Sequence, residues 1–222
     1  MKKISAAATR RPPARLRLAK LLEEEILSGR IKPGTRLQQL VLAQRLKISQ
    51  SAVREALQEL EYRGLLRKVG RSWWVTRLEE DELVEYFQVR ALLEPYAYRL
   101  AASHWSEEAT RRLQSCIERM ELAAQMSDYS IHWAADVEFH QTVWDAQPNR
   151  CLRQLLRMVC LPIFANGLLR HAQIPASSYR RSLRWHQLLL RMLRTGEGAA
   201  TERAARRAVR EFLHLNLKDF AA

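Results

Sequence analysis

Beyond residue 79 the sequence contains no stretch that alternates apolar and polar residues. Apolar positions recur instead at spacings of three and four, which is the period of a helix face. Helices are expected over about 80–103, 106–126, 129–146, 149–171, 177–195 and 199–219. The breaks between them are expected at His104-Trp105, Ser127-Asp128, Pro148, Ile174-Pro175 and Gly196–Gly198. Glu79-Glu80-Asp81 places acid where a helix N-terminus favours it. Pro95 and Pro162 fall inside helical stretches, and each is expected to kink or interrupt its helix. Such a pattern specifies an all-α helical bundle able to enclose a pocket between its helices.

The first third reads differently. After a basic arm at residues 1–12, a helix starts at Pro13, carries Leu18, Leu22 and Ile26, and ends at Gly29. Pro33-Gly34 makes a turn, and a second helix covers about 38–47. A third begins near Ser51, a plausible N-cap, and runs to Gly64. Leu65-Leu66-Arg67 and Trp73-Trp74-Val75 read as two short strands around a Lys68–Ser72 tip. Three helices and a hairpin make a winged helix-turn-helix. The fold class is therefore mainly α, divided as arm 1–12, winged helix-turn-helix 13–78 and helical bundle 79–222.

Charge supports that division. The chain has 222 residues and a net charge of +13. Residues 1–78 hold 18 Lys/Arg against 6 Glu, leaving a near-neutral remainder. A basic excess confined to one segment points to a polyanion, nucleic acid or an anionic membrane surface. The basic start, Met1 to Leu18, has no apolar run behind it and does not read as a secretory leader. No stretch approaches the roughly 20 apolar residues of a membrane helix. Cys116, Cys151 and Cys160 lack metal-ligand spacing and read as buried thiols of a reducing cytosol.

In a winged helix-turn-helix the third helix enters the major groove with its N-terminal residues near base edges. Here those are Gln50, Ser51 and Arg54. Arginine can pair with guanine through two hydrogen bonds, and glutamine with adenine. Arg67, Lys68 and Arg71 on the hairpin, and Arg45 on the second helix, suit phosphate contacts. The plainer reading of Arg54 is a surface arginine paired with a nearby glutamate. Of Trp73 and Trp74, one should pack inward, while the other covers a domain contact or packs on the sugar–phosphate backbone.

These residues resemble a known family. Leu27-Ser-Gly-Arg-Ile-Lys-Pro-Gly-Thr-Arg-Leu37 is similar to the turn after the first helix of GntR-type bacterial regulators. Ser49-Gln-Ser-Ala-Val-Arg-Glu-Ala-Leu57 resembles their recognition-helix signature, and Gly64-Leu-Leu66 the entry to their wing. The resemblance implies that Arg54 contacts DNA. Gln50 and Ala52 depart from the usual arginine and proline, so a different operator sequence is expected. Lys47 stands at a glycine position of the turn, at a cost of about 1 kcal/mol if its φ is positive. Ser72 stands where the wing usually has glycine.

The helical part resembles the FCD ligand-binding domain of the FadR-like subfamily. Tyr86-Phe-Gln-Val-Arg-Ala-Leu-Leu-Glu-Pro95 is similar to its opening helix. Asp136-Val-Glu-Phe-His140 with Asn149, and His186-Gln-Leu-Leu-Leu190 with Gly196-Glu197, resemble its two later motifs. Independently of any family, Asp136 and His140 are four apart and share a helix face, so both can reach one divalent ion; His186 could join them from another helix. The resemblance implies a metal held by one aspartate and three histidines. Here Phe212 falls at the last ligand position, and His214, about 200° further round the helix, is the uncertain substitute. Ligand type alone does not separate zinc, nickel and manganese. The resemblance also implies an effector carboxylate held by Arg90, against the plainer reading of a surface Arg90–Glu94 pair. Tyr86, one turn earlier, could complete the pocket or belong to the core.

The expected function is a ligand-responsive bacterial transcription regulator, a cytoplasmic and nucleoid-associated homodimer on double-stranded DNA. Its operator would be an inverted repeat, its effector a small carboxylate, and it would have no membrane contact and no catalysis. The alternative is a metal-dependent enzyme with a nucleic-acid-binding domain and Glu138 as base. Glu138, however, lies two positions from both Asp136 and His140 and points away from their shared face. A third reading is an architectural DNA binder with no effector.

Overall fold

The computed structural model describes residues 12–126, 128–167 and 176–218, with side chains at 129, 176–178 and 214–218 outside that set. The expected arm, the break at Ile174-Pro175 and residues 168–171 of the expected fourth bundle helix therefore lie outside the described residues.

The first part of the chain folds as α1 (Ala14–Leu27), β1 (Arg36–Leu37), α2 (Gln39–Leu46), α3 (Gln50–Tyr62), β2 (Leu66–Val69) and β3 (Ser72–Val75). Leu18, Leu22 and Ile26 of α1 meet Val53, Ala56, Leu57 and Leu60 of α3 in one core, as their four-residue spacings require. Ser49 rather than Ser51 caps α3: its side chain accepts from Ala52 N at 3.2 Å, and Ser51 Oγ lies 3.1 Å from Ser49 Oγ. Lys47 closes α2 in the left-handed region with φ 53°. Gly70 and Arg71 turn the β2–β3 hairpin, a shorter tip than the sequence suggests. β1 has no counterpart among the expected elements. Two residues are too few to show alternation, and β1 exists because β3 offers it a free edge; the sheet order is β1-β3-β2, all antiparallel.

The remainder is helical: α4 (Glu80–Ala102), α5 (Glu107–Met126), α6 (Tyr129–Ala146), α7 (Arg150–Gly167), α8 (Ala176–Arg194) and α9 (Gly198–Lys218). Glu79 and Glu82 form a reciprocal capping box at the start of α4, and Asp128 accepts from Ser130 N and Ile131 N at the start of α6. Neither proline interrupts its helix: α4 runs through Pro95 and α7 through Pro162. No described helix is long and apolar enough to cross a membrane.

The two parts share apolar packing. One buried cluster takes in Leu18, Leu57 and Trp73 together with Trp133, Leu152, Leu156 and Phe164. Asn166 of α7, itself buried, fastens the segment between β3 and α4. Its side-chain oxygen accepts from Leu78 N at 2.9 Å, and its Nδ2 donates to Thr76 O at 3.1 Å and Pro162 O at 2.8 Å. Glu23 of α1 pairs with Arg63 at the end of α3 and accepts from Gln141 of α6 at 3.3 Å.

Candidate functional site

α4, α6, α8 and α9 enclose a cavity of about 110 Å³. By volume that is room for several water molecules, or for a metabolite of a similar number of heavy atoms. Its polar end is built from three helices. Arg90 and Glu94 are four apart on α4, Asp136 and His140 four apart on α6, and His186 comes from α8. All five side chains are buried.

Their contacts interlock. Arg90 Nε donates to Glu94 Oε2 at 2.7 Å, so the i,i+4 pair exists but lies inside the protein, not on its surface. Glu94 Oε1 receives Trp144 Nε1 at 3.0 Å and lies 2.8 Å from His140 Nδ1. Tyr98 Oη is 3.3 Å from the same nitrogen. His186 Nδ1 lies 2.8 Å from Ser182 O, a carbonyl that can only accept. With both Nδ1 atoms engaged, the two Nε2 atoms turn toward Asp136 Oδ1, at 3.5 Å from His140 and 2.8 Å from His186. Asp136, His140 and His186 each offer a ligand atom within 4.8 Å of the others.

Charge in this end is balanced by close pairing. Burial opposes ionisation of Glu94, but Arg90 and His140 overrule it and bring its pKa down to about 2. Burial likewise favours neutral Asp136, yet the neighbouring His140 and His186 hold it well below the carboxylate range. For His140 burial lowers the pKa, while Glu94 and Asp136 outweigh it and raise the result.

The rest of the lining is largely apolar, with Phe87 on α4, Trp133 on α6 and Val209 and Phe212 on α9. Phe212, at the expected ligand position, stacks its ring 5.7 Å from Phe87 and closes the cavity as a hydrophobic wall. The backbone of His214 belongs to α9, but its side chain lies outside the described residues. Tyr86 is not part of the lining. It is half-buried beside the Leu83–Phe87 cluster and reaches Arg67, because the buried face of α4 runs through Leu83, Phe87, Arg90 and Glu94. The aromatic that α4 gives the cavity is Phe87. Glu138, the base of the enzyme alternative, pairs with Arg119 at 2.6 Å and does not line the cavity.

Sequence reasoning overlooked His132, which lines the same cavity four residues before Asp136. The i, i+4 spacing that singles out His140 applies equally to it. Glu94 was read only as a surface partner of Arg90, and Tyr98 and Asn166 were missed, because their contacts with Trp144, His140, Thr76 and Leu78 join residues far apart in the chain.

On the opposite part of the molecule, Arg45, Gln50, Ser51, Arg54, Lys68 and Arg71 are exposed. Arg54 makes no ion pair with a described residue; the neighbouring Glu55 pairs with Arg15 at 3.5 Å. Lys68 Nζ lies 5.4 Å from the centre of the Trp73 ring. Arg67 is engaged by Glu82 of α4 at 2.9 Å and so ties the wing to the bundle. Trp73 is buried, while Trp74 stays 37% exposed on the outer sheet face opposite Arg36 and Arg67.

Comparison with known proteins agrees with this architecture. Residues 14–75 match the profile of "Bacterial regulatory proteins, gntR family", and residues 85–211 match the FCD domain. The chain belongs to the GntR family, in its FCD-containing branch. It is 29% identical over 190 residues to a probable D-xylose utilization operon transcriptional repressor of Paenarthrobacter nicotinovorans, covering 85% of this chain and 82% of that one. It is 26% identical over 188 residues to the gluconate operon transcriptional repressor of Bacillus subtilis, covering 83% and 77%. Its fold is similar to that of E. coli McbR/YncC, with a TM-score of 0.78 at 20% identity, covering 93% of this chain and 98% of that one. This GntR-family chain is thus a transcriptional regulator, and its relatives are regulators rather than enzymes.

Proposed function

We propose that the chain is a metabolite-responsive repressor, a cytoplasmic homodimer on an inverted-repeat operator, whose effector is a small carboxylate. The observation that carries the effector half is the convergence of buried Arg90, Asp136, His140 and His186 on one cavity. A buried arginine there supplies a carboxylate with the counter-charge that burial otherwise denies it.

The residues also fit the metal that the FCD resemblance implies. Nδ1 of each histidine is occupied by Glu94 or Ser182, the arrangement that presents Nε2 to an ion. His186 Nε2 is buried without a well-aligned hydrogen bond, although Asp136 Oδ1 is only 2.8 Å away. An ion bound by Asp136, His140 and His186 satisfies that atom and leaves a coordination position for the effector. Zinc, nickel and manganese all remain compatible. Metal content of protein purified without chelator or histidine tag tests this. Stoichiometric metal, lost in His140→Ala, is expected; metal-free protein overturns the metal part and leaves Arg90 as the main anchor.

For DNA, Arg54 with Gln50 and Ser51 is the base-reading group, and Arg45, Lys68 and Arg71 are phosphate contacts that position without specifying. Arg54→Ala is expected to lose preference for operator over random DNA by about 1–3 kcal/mol while the bundle stays folded. Unchanged preference in a competition assay counts against the assignment. Dimerisation is assigned to the outer face of α4, where Val89, Leu92 and Tyr96 stand exposed at i, i+3 and i+7; Leu92 is 68% exposed.

A further inference from the structure

The helical half is near neutral as a whole, yet its charge is divided. Residues 79–175 hold 9 Lys/Arg against 14 Asp/Glu, and residues 176–222 hold 10 against 4. The basic share sits on α8 and α9, which carry nine arginines. Among the described residues only Arg181 and Arg206 of these pair with an acid, Glu211 at 3.8 Å and Glu202 at 2.8 Å. In α4 to α7, by contrast, five of eight arginines are paired. The surplus also has a direction. His186 and Leu189 of α8 and Ala205 and Val209 of α9 line the cavity. At about 100° per residue, Arg184 and Arg191 lie about 160° and 140° round α8 from His186, and Arg203 and Arg207 about 160° round α9 from Ala205. All four are exposed. The Arg181–Glu211 pair spans the two helices, and Arg184, Leu188 and Arg191 line the same groove. The two arginine faces therefore form one outward surface.

We propose that this outer face of α8 and α9 is a second DNA-binding surface, indifferent to sequence, which holds a second duplex so that the regulator bridges two stretches of DNA. Its chemistry favours repeated phosphates. Arginine forks onto phosphate oxygens through two hydrogen bonds and stays charged throughout. A protein partner needs an apolar centre to its interface, and a membrane surface needs apolar side chains to bury. Among the exposed large apolar side chains, α8 supplies none and α9 only Phe212, which closes the cavity. Nor is the face an extension of the recognition site. Gly64, just beyond α3, packs on Met158 and Pro162 of α7, and Gln50 stands about 20 Å from it along the helix axis. The reading end of α3 thus points away from the bundle, and the arginine face is left to a different duplex. The proposal takes DNA as the partner but depends neither on Arg54 nor on the effector.

The test is a two-duplex capture. A random-sequence duplex is fixed to beads, loaded with the full chain and washed, and the same duplex carrying a fluorophore is then added. Captured fluorescence is divided by the amount of chain on the beads. Capture is expected at about 50 mM salt and is expected to fall more than tenfold by about 200 mM, as counterion release at several phosphates requires. The triple variant Arg184→Ala, Arg191→Ala, Arg207→Ala is expected to capture about tenfold less per bound chain, with an unchanged melting temperature. The same three positions changed to lysine are expected to keep most of the capture, since the charge remains. Parent protein that captures no second duplex overturns the proposal. So does an alanine variant that captures as much as the parent, because two recognition helices of a dimer then suffice for bridging. Polyglutamate that displaces the second duplex as well as an equal charge of unlabelled DNA overturns DNA as the partner and points to an acidic protein. None of these outcomes touches the assignment of Arg54.

Discussion

At the scale of single residues, environment decides what the same chemical group can do. The three cysteines show it directly. Cys116 and Cys160 are buried as the sequence leads one to expect, but Cys151, near the start of α7, is exposed. Burial raises the Cys116 pKa to about 11, with Glu138 adding to the rise, and it pushes Cys160 well above the ordinary thiol range. A thiol held protonated is a poor nucleophile. A chromogenic disulfide reagent at pH 8 is therefore expected to react quickly with one thiol per folded chain, and with three only after unfolding. Fast reaction of two or more in native protein contradicts this. Arg90 makes the same point for cations. The i,i+4 spacing correctly announces a pair with Glu94, yet spacing says nothing about depth. Only the fold turns that pair into the buried counter-charge of a cavity. His132 was legible on the same terms as His140 and passed unnoticed because a lone histidine is more often a core residue. Tyr86, open between pocket and core in the sequence, packs against the Leu83–Phe87 cluster, since a residue one turn before Arg90 need not share its exact direction.

At the scale of elements, the sequence carried most of the helices to within a few residues, because their apolar periods are long. It failed where an element is defined by its neighbour. β1 is held by β3, and α7 continues through Pro162 although proline removes a helical donor. The consequence of that proline is visible at Gly64. Pro162 has no N–H to offer the carbonyl of Met158, four residues earlier, and the backbone of Gly64 packs against that carbonyl instead. A Cβ on Gly64 would lie 2.6 Å from Met158 O and 3.0 Å from Pro162 Cγ, and its φ is +76°. Glycine at the exit of the recognition helix is therefore required twice over. Gly64→Ala is expected to cost at least about 1–2 kcal/mol from the backbone conformation alone, seen as a lower urea midpoint. A variant as stable as the parent removes this account of how α3 docks on α7.

At the scale of the whole molecule, α7 touches both functions. Phe164 lies 5.1 Å from the Arg90 guanidinium and 5.5 Å from the His140 ring, while Asn166, two residues on, holds the joint to α4. If the proposed effector binds in the cavity, a shift of α7 has a direct path to the wing, and a coupling of about 1–3 kcal/mol suffices for a switch. Asn166→Ala removes the acceptor of Leu78 N and the side-chain donor to Thr76 O and Pro162 O. It is expected to lower stability by about 1–3 kcal/mol and to speed tryptic cleavage after Arg77, which is exposed beside the joint. A cleavage rate equal to that of the parent chain shows that Asn166 does not secure the joint. None of this was readable from sequence, since the Asn166 contacts with Leu78 and Thr76 join residues 88 and 90 positions apart, and those of Phe164 also cross between helices.

The shared core has an evolutionary corollary. Two halves joined by a loose tether can be traded between proteins one at a time. Here the buried face of the DNA-reading half is finished by residues of the helical half, Leu152, Leu156 and Phe164 among them. A graft of this winged helix onto a foreign sensor exposes that face unless the recipient supplies a matching α7. Operator choice can drift through a handful of surface residues such as Gln50, whereas exchange of the sensor has to carry the seam along with it.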